Sequence, residues 1–349
     1  MPKGAVLPFS IWTRFLPLSH IRDSPRRGKS PQDPSVLPFR RMLPYFLFFP
    51  LSASAPPPWR TTLEGQCWTN TSCQRALIVS HGGAWSLEKP YDSLPAVRQA
   101  FDDGSDAVKG DFRVSADGVG VVCHSSPLKW YAARTHACAL ANAHARRYES
   151  PQCAGLVVEN STAAAIMRCP MALTADTFMT VPSFLSYTQG KMITMLCVKR
   201  TSDIARAVST LVESNATQRA FLEIGLGALL SIVPTVPDWE QVYYLVEGDS
   251  MADIHSLVNT STALRARAFA FEFNGHAKGQ WSGVNLTLAF EMLHAAGIRA
   301  FVATTEITPS IAGQEALWGE GFDIVYTYDT VNAVAARTAV DVARGVAPP

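Results

Sequence analysis

The stretch that decides the fold is ALIVSHGGAWSLEKPYDSLPAVRQAFDDGSDAVKGDFRVSADGVGVVCHSSPL, residues 76–128. It opens with a short, β-branched apolar run that ends at His81. The helix-like segment Leu94–Asp102 follows, and a second β-rich run, Ala107–Arg113, comes next. The turn sequence Ala116-Asp117-Gly118 then predicts a hairpin between that run and Gly120–His124.

The alternation of strand and helix continues to the C-terminal helix. Thr201–Ser214 carries apolar residues at helical spacing, and Leu286–Ala296 is followed by Gly297, a residue that commonly ends a helix. If the hairpin strand extends the second strand, eight main strands remain. Eight alternating units predict an α/β (β/α)8 TIM barrel, which needs roughly 250 residues. A doubly wound open sheet is the alternative. The candidate strands are Ala76–Ser80, Ala107–Arg113, Gly120–His124, Met192–Lys199, Ala220–Ile224, Val242–Glu247, Ala268–Phe273, Ala300–Thr304 and Asp323–Tyr328.

A long insertion, Trp130–Asp176, separates the hairpin from the third main strand. It carries Cys138, Cys153 and Cys169 together with the sequon at Asn160. We therefore expect a disulfide-tied excursion over the barrel mouth before strand 3.

The N-terminal part has the pattern of a cleaved signal peptide. Two arginines precede the apolar run Leu43–Leu51, and Ser52–Ala55 offers small residues for cleavage. Met42 is a plausible start, because the preceding residues are rich in Pro and Arg. The predicted organisation is a leader with signal peptide at 1–55, an N-terminal segment at 56–74 and the barrel at 75–349. The alternative is a disordered leader with a chance apolar patch.

Asparagine and cysteine usage also favours a secreted or endomembrane-lumen protein. Five of the eight asparagines lie in N-x-S/T sequons, which predicts glycosylation at Asn70, Asn160, Asn215, Asn259 and Asn285. Seven cysteines fit an oxidising compartment.

The spacing of the cysteines suggests two small loops but leaves the pairing open. Cys67 and Cys73 are close enough for one loop, and Cys153 and Cys169 bracket another. Cys123 and Cys197 lie in apolar, strand-like runs and are candidates for buried thiols. An odd count leaves at least one cysteine outside intramolecular bridges.

Charge and hydropathy exclude two classes of partner. The formal net charge is +1, which provides no field to attract nucleic acid or an anionic membrane. No apolar run reaches the roughly 20 residues that span a bilayer. We therefore expect a small-molecule ligand and no stable transmembrane anchor.

Polar side chains gather at the predicted C-terminal strand ends, where barrels of this kind carry their reactive groups. Lys109 and Asp111 are two apart on one strand, so they point to the same face. Their joint placement suits acid–base chemistry on an anionic substrate. A structural histidine, a plain Lys–Asp ion pair and solvated rim carboxylates are the alternatives, and for Glu272 and Glu306 we favour a structural role. The set is His81, Lys109, Asp111, His124, Lys199, Glu223, Glu247, Glu272 and Glu306.

The order of short motifs over Arg75–Asn332 resembles the glycerophosphodiester phosphodiesterases, within the phospholipase-C-like phosphodiesterase barrels. That family has a strand ending in His-Arg-Gly, a turn, a Glu-x-Asp strand, an Asp-Gly turn, a strand ending in His-Asp and a later strand ending in Glu-x-Lys. The matching pieces here are His81-Gly82-Gly83, Pro90-Tyr91-Asp92-Ser93-Leu94, Lys109-Gly110-Asp111, Asp117-Gly118, His124-Ser125, MLCVK at 195–199 and GFDIVYTYDT at 321–330.

The resemblance implies roles for individual residues. His81 and His124 would be the general acid and base on either side of the phosphorus atom. Asp111 would be a metal ligand, and Lys199 would face the phosphate.

Four positions depart from the family pattern. Lys109 and Cys197 stand where the family has ligand glutamates, Tyr91 where it has a turn glutamate, and Gly82 where it has an arginine. An oxygen-ligand site for Mg²⁺ or Ca²⁺ needs several carboxylates. Of the expected set only Asp111 remains, with Glu223 of the next strand as a possible recruit, so such a cofactor is in doubt.

These departures lead to two main hypotheses. In the first, the Lys109 ammonium replaces the metal, and the protein hydrolyses glycerophosphodiesters or lysophospholipids by His/His acid–base catalysis without metal. In the second, the barrel is catalytically degenerate and binds a phosphorylated head group or a glycan. A glycosidase that uses a pair such as Glu223 and Glu272 is a third reading.

Overall fold

In the computed structural model, eight parallel strands of the described residues close into a barrel. The structure describes residues 56–86, 88–128, 150, 152–171, 174–276, 279–304 and 310–347. The hydrogen-bonded order is β1-β10-β9-β8-β7-β6-β5-β2, and β1 also pairs with β2, which completes the ring. This closure confirms the predicted (β/α)8 barrel over the open sheet. The strands are β1 Leu77–Ser80, β2 Ala107–Val114, β3 Gly120–Val122, β4 Met179–Thr180, β5 Ile193–Val198, β6 Ala220–Gly225, β7 Tyr243–Gly248, β8 Ala268–Phe273, β9 Arg299–Ala303 and β10 Ile324–Thr327.

Helices cover the outside of the barrel, and polar side chains fix where several of them begin. Ser93 caps α1 by accepting a hydrogen bond from the Ala96 N–H, and Ser250 forms a capping box with Asp253 at the start of α6. The helices are α1 Leu94–Asp102, α2 Ala163–Ile166, α3 Val181–Thr188, α4 Ile204–Glu213, α5 Leu226–Ser231, α6 Met251–Val258, α7 Thr262–Arg267, α8 Leu286–Ala295, α9 Ile311–Glu320 and α10 Thr330–Ala343.

The predicted hairpin and the disulfide in the insertion are both present. β3 pairs antiparallel with β2, with Phe112 opposite Val122, and the short strand β4 pairs with β3. The Cys153–Cys169 disulfide lies in the described part of the insertion. Glu159 of this part forms ion pairs at the rim with Arg113 and Arg200. Residues 129–149, which include Cys138, lie outside the described residues.

The N-terminal segment closes one end of the barrel. The Leu63 N–H donates to the carbonyl of Gln218, just before β6, so this segment lies at the N-terminal ends of the strands. Trp68 is fully buried, and its ring lies 5.8 Å from Phe221 and 6.3 Å from Phe269 inside the barrel. Residues 56–74 therefore form the floor of the barrel rather than a separate appendage.

A buried carboxylate joins the two termini of the barrel domain. Asp106, which precedes β2, accepts hydrogen bonds from Arg60 at 3.1 Å, from Arg337 of α10 at 2.7 Å and from the Ile78 N–H at 3.0 Å. Asp106 is fully buried and Arg337 is 1% exposed. This network connects the N-terminal segment, β1 and the last helix.

The remaining cysteines are placed as the spacing suggested. Cys67 and Cys73 form a disulfide, and Cys123 and Cys197 are buried free thiols. Within the described residues, no helix has the length and apolar character needed to cross a membrane.

Candidate functional site

His81 lies directly after β1, at the C-terminal mouth of the barrel. The backbone N–H of His81 donates a hydrogen bond to the Thr327 carbonyl at 2.8 Å, which joins this residue to the end of β10. The imidazole ring stacks on Tyr326 and Tyr328, with ring centroids at 4.0 and 4.1 Å. The side chain is largely buried, so these contacts fix the orientation of its ring nitrogens.

The Tyr91 ring lies close to both predicted histidines. Its ring centroid lies 5.7 Å from that of His81 and 6.1 Å from that of His124. His124 is half-buried after the hairpin strand, and its Nδ1 lies 3.1 Å from the Ser125 hydroxyl. The sequence prediction that these histidines share one end of the barrel is consistent with this geometry.

Gly82 makes room for Tyr91. The φ of Gly82 is +70°, and a Cβ there would lie 2.1 Å from the Tyr91 ring. Tyr91 in turn accepts a hydrogen bond from the Lys109 ammonium at 3.0 Å. Three of the four departures from the family pattern are therefore one connected set of contacts.

Two lysines share one carboxylate in the centre of the mouth. Lys109 Nζ pairs with Asp111 Oδ1, and Lys199 Nζ lies 2.6 Å from the same oxygen. Lys109 is 2% exposed and Asp111 is fully buried. Two ammonium groups and one carboxylate give these three side chains together a net positive charge.

Mutual electrostatics keep these three groups ionised. Burial opposes the charge on Lys109 and Lys199, but Asp111 outweighs it and raises the pKa of both ammonium groups. Burial alone would raise the pKa of Asp111, yet Lys109 and Lys199 hold it well below its usual range. The Asp92 carboxylate accepts a hydrogen bond from the backbone N–H of Asp111 at 3.4 Å. Its pKa is raised well above the usual value, mainly because the group is buried and secondly because the Asp111 charge is close.

Cys197, the fourth residue that differs from the family pattern, contacts the Lys109–Asp111–Lys199 group. Lys199 Nζ donates to Cys197 Sγ at 2.9 Å, and burial raises the pKa of the thiol. A neutral thiol is a poor ligand for a hard cation. Because Asp111 is engaged by two ammonium groups, the residues at the family's ligand positions do not fit a divalent ion.

A separate group of carboxylates lies further round the mouth. Glu223 of β6, Glu247 of β7 and Glu272 of β8 each place an oxygen within 4.8 Å of the other two, and Asp111 is not part of this group. The Glu223 charge, followed by burial, raises the pKa of Glu247 to about 8. Burial, followed by the Glu223 charge, raises the pKa of Glu272 well above its usual value.

The carboxyl separation also bears on the glycosidase reading. One oxygen of Glu223 lies within 4.8 Å of one oxygen of Glu272, which is nearer to the carboxyl separation of roughly 5–5.5 Å in retaining enzymes than to the roughly 6.5–9.5 Å of inverting ones. Within the glycosidase alternative, this distance favours the retaining arrangement.

Sequence reasoning placed the strand-end residues but missed their neighbours. Tyr91, Tyr326 and Tyr328 were not singled out as site residues, although Tyr326 and Tyr328 alternate at the end of the last strand, a pattern that could have indicated a shared face. Glu247 and Glu272 were named as rim groups without their grouping around Glu223. Glu306 lies outside the described residues.

Comparison with known proteins places the fold among solved phosphodiesterase structures. No protein-family model and no curated protein sequence matches the chain. A glycerophosphoryl diester phosphodiesterase from Parabacteroides distasonis matches with a TM-score of 0.62 and 11% identity, over 80% of this chain and 93% of that one. A glycerophosphodiester phosphodiesterase from Agrobacterium tumefaciens matches with a TM-score of 0.55 and 16% identity, over 75% and 99%. A phosphodiesterase from Oleispira antarctica, solved with the product sn-glycerol-3-phosphate, matches with a TM-score of 0.53 and 15% identity, over 75% and 96%.

Proposed function

We propose that this protein is a phosphoric diester hydrolase that acts on glycerophosphodiesters or lysophospholipids. The observation that carries the proposal is the cationic Lys109–Asp111–Lys199 group beside two histidines at the mouth of the barrel. The net positive charge suits a phosphodiester anion, and the histidines suit proton transfer near neutral pH. The fold shared with solved phosphodiesterases supports the same class.

The four residues that differ from the family pattern contact one another or the site lysines, which favours a rearranged active site over one that has lost its function. Independent loss of family residues would leave unrelated substitutions, whereas Gly82, Tyr91 and Lys109 fit one another and Cys197 contacts Lys199. The ammonium groups hold the positive charge that a metal would otherwise supply. On this proposal, catalysis does not depend on a metal at the family's position.

The reaction follows from these groups. A water oxygen forms a bond to phosphorus while the bond from phosphorus to the alcohol oxygen breaks. One histidine takes the proton of the water and the other donates a proton to the leaving alcohol. Lys109 and Lys199 offset the negative charge that builds on the phosphoryl oxygens.

The direct test is cleavage of glycerophosphocholine and lysophosphatidylcholine by the purified secreted protein, with and without EDTA. We expect turnover that persists in EDTA and that His81→Ala removes. The matched control is His255→Ala, because His255 is exposed on α6. Loss of turnover in EDTA would contradict the metal-free mechanism, and absence of turnover under every condition would favour the degenerate, binding-only barrel.

Proton transfer can be assigned by changing the leaving group. We expect His81→Ala and His124→Ala each to lower kcat on glycerophosphocholine by about 100-fold or more. A p-nitrophenyl phosphodiester needs no proton on departure, so the variant that lacks the general acid should recover most of its rate with this substrate. The measurement is the ratio of kcat for the two substrates in each variant. Equal losses on both substrates in both variants would argue against an acid–base pair.

We also propose that the protein passes through the secretory pathway and carries N-linked glycans. All five sequon asparagines are exposed on the described surface, and the two disulfides fit an oxidising compartment. The exposed asparagines are Asn70, Asn160, Asn215, Asn259 and Asn285.

Glycosylation predicts a change in electrophoretic mobility. Protein secreted by a eukaryotic host should migrate faster after N-glycosidase treatment, and replacement of all five sequon asparagines by Gln should abolish the shift. Protein made in the bacterial cytosol serves as the control without glycans. Secreted protein whose mobility is unchanged by the enzyme would contradict the prediction.

A further inference from the structure

We propose that Glu223, Glu247 and Glu272 form a binding site for one divalent cation of the size of Ca²⁺ or Mn²⁺. The site lies at the C-terminal ends of β6, β7 and β8. It goes beyond the proposed function, which uses the two lysines and no metal.

The spacing of the oxygens suits a single ion. One oxygen from each glutamate lies within 4.8 Å of the other two. Three oxygens within this distance of one another share a centre that is at most about 2.8 Å from each, so movements of a few tenths of an ångström or less give the 2.3–2.6 Å that Ca²⁺ requires.

The buried oxygens also lack partners. Glu223 is 5% exposed and Glu272 is 4% exposed, and the Oε2 atom of each is buried without a hydrogen-bond partner. No Lys, Arg or His among the described residues forms an ion pair with any of the three glutamates. Burial and the neighbouring Glu223 charge raise the pKa of Glu247 and Glu272, so a bound cation would take the place of protons on these buried carboxyls.

The charges of Lys109 and Lys199 lower the pKa of Glu247 and Glu272 in part, but neither lysine forms an ion pair with the three glutamates. Lys109 and Lys199 both pair with Asp111, and they donate further hydrogen bonds to Tyr91 and Cys197. A divalent ion can take one oxygen from each of the three glutamates at once and can replace the protons that the raised pKa values keep on Glu247 and Glu272. The arrangement of three converging oxygens therefore favours a metal ion over an ammonium head group.

The barrel holds the three ligands in place. Glu247 is the register partner of Glu272, and Gly225, two residues after Glu223, is the register partner of Glu247. Each carboxylate thus projects from a different, adjacent strand of a closed barrel. This preorganises the set without any contribution from the positions of Lys109 or Cys197.

The test measures binding of the metal alone to the full-length protein after treatment with a chelator and its removal. Calorimetry with CaCl₂ and MnCl₂ should give one ion per chain, and each ion should raise the melting temperature. Glu247→Gln and Glu272→Gln should each weaken binding by about tenfold or more, because ligand charge sets affinity at such sites. The matched control is Glu240→Gln, an exposed position just before β7 that should bind like the wild type.

Melting in the presence of chelator separates loss of the site from misfolding. Glu272→Gln should then melt at or above the wild-type temperature, because the substitution removes repulsion between carboxylates. Absence of ion-dependent heat and melting shift at millimolar concentrations would overturn the proposal, as would unchanged affinity in Glu247→Gln. Binding of ethanolamine without binding of Ca²⁺ or Mn²⁺ would also overturn it and indicate an amine subsite. The phosphodiesterase proposal is tested separately, by turnover.

Discussion

Phosphodiester turnover is expected to fall by about 100- to 1,000-fold when Lys109 is replaced by Met. Met has a similar length but no charge, so the substitution removes an ammonium group from the centre of the mouth. Asp111 then keeps only Lys199 as a cationic partner, and the local net charge falls from positive to neutral. The measurement is kcat on glycerophosphocholine, with the melting temperature recorded for the same preparation.

Two further variants make this result interpretable. Lys191→Met removes a lysine that lies over the Tyr187 ring, away from the mouth, and should leave turnover unchanged. In Lys109→Met/Asp111→Asn the buried carboxylate is neutralised as well, so a loss caused only by the weaker compensation of the Asp111 charge would be reversed. Wild-type kcat in Lys109→Met, or recovery in the double variant, would show that the ammonium group has no direct role in turnover.

A stability loss of about 3–5 kcal/mol is expected for Asp106→Ala, because one partner of a buried ionic network disappears. Arg337, which is 1% exposed, would lose its carboxylate, and the Ile78 N–H would lose its acceptor. Arg60 of the N-terminal segment would be released at the same time. The free energy of unfolding from urea titration checks the prediction.

The control for this variant lies on the neighbouring helix. Asp102 is exposed at the end of α1, and Asp102→Ala should unfold at the same urea concentration as the wild type. A change in Asp106→Ala as small as that of the control would mean that the network contributes nothing measurable to stability.

The barrel could be predicted from sequence because its signals are local. Each main strand is a short apolar run, and some of the helices between them have a 3.6-residue apolar period, as in α4 with Ile204, Ala207 and Leu211 buried. The α1 bounds agree with the prediction at both ends. The two-residue strand β4 and the four-residue helix α2 were not predicted, since elements so short carry no periodicity.

The site could be predicted only in part, because its groupings depend on register and rotation around the barrel. Strand-end positions placed Lys109, Asp111 and Lys199 on one rim among other polar groups, and in the structure both lysines contact Asp111. No sequence signal joins Gly82 to Tyr91, whose contact depends on a close approach of two turns. The grouping of the three glutamates also needs the angular placement of three strands.

The barrel floor has a consequence for the order in which the chain can assemble. Trp68 leaves the ribosome well before Phe221 and Phe269, the aromatic residues against which it packs, have been synthesised. Its indole ring therefore remains without its final partners until most of the domain exists. The earliest part of the domain to be made is thus among the last to dock, and contacts of such long range slow folding. A nascent chain stalled before β8 would present this tryptophan to chaperones.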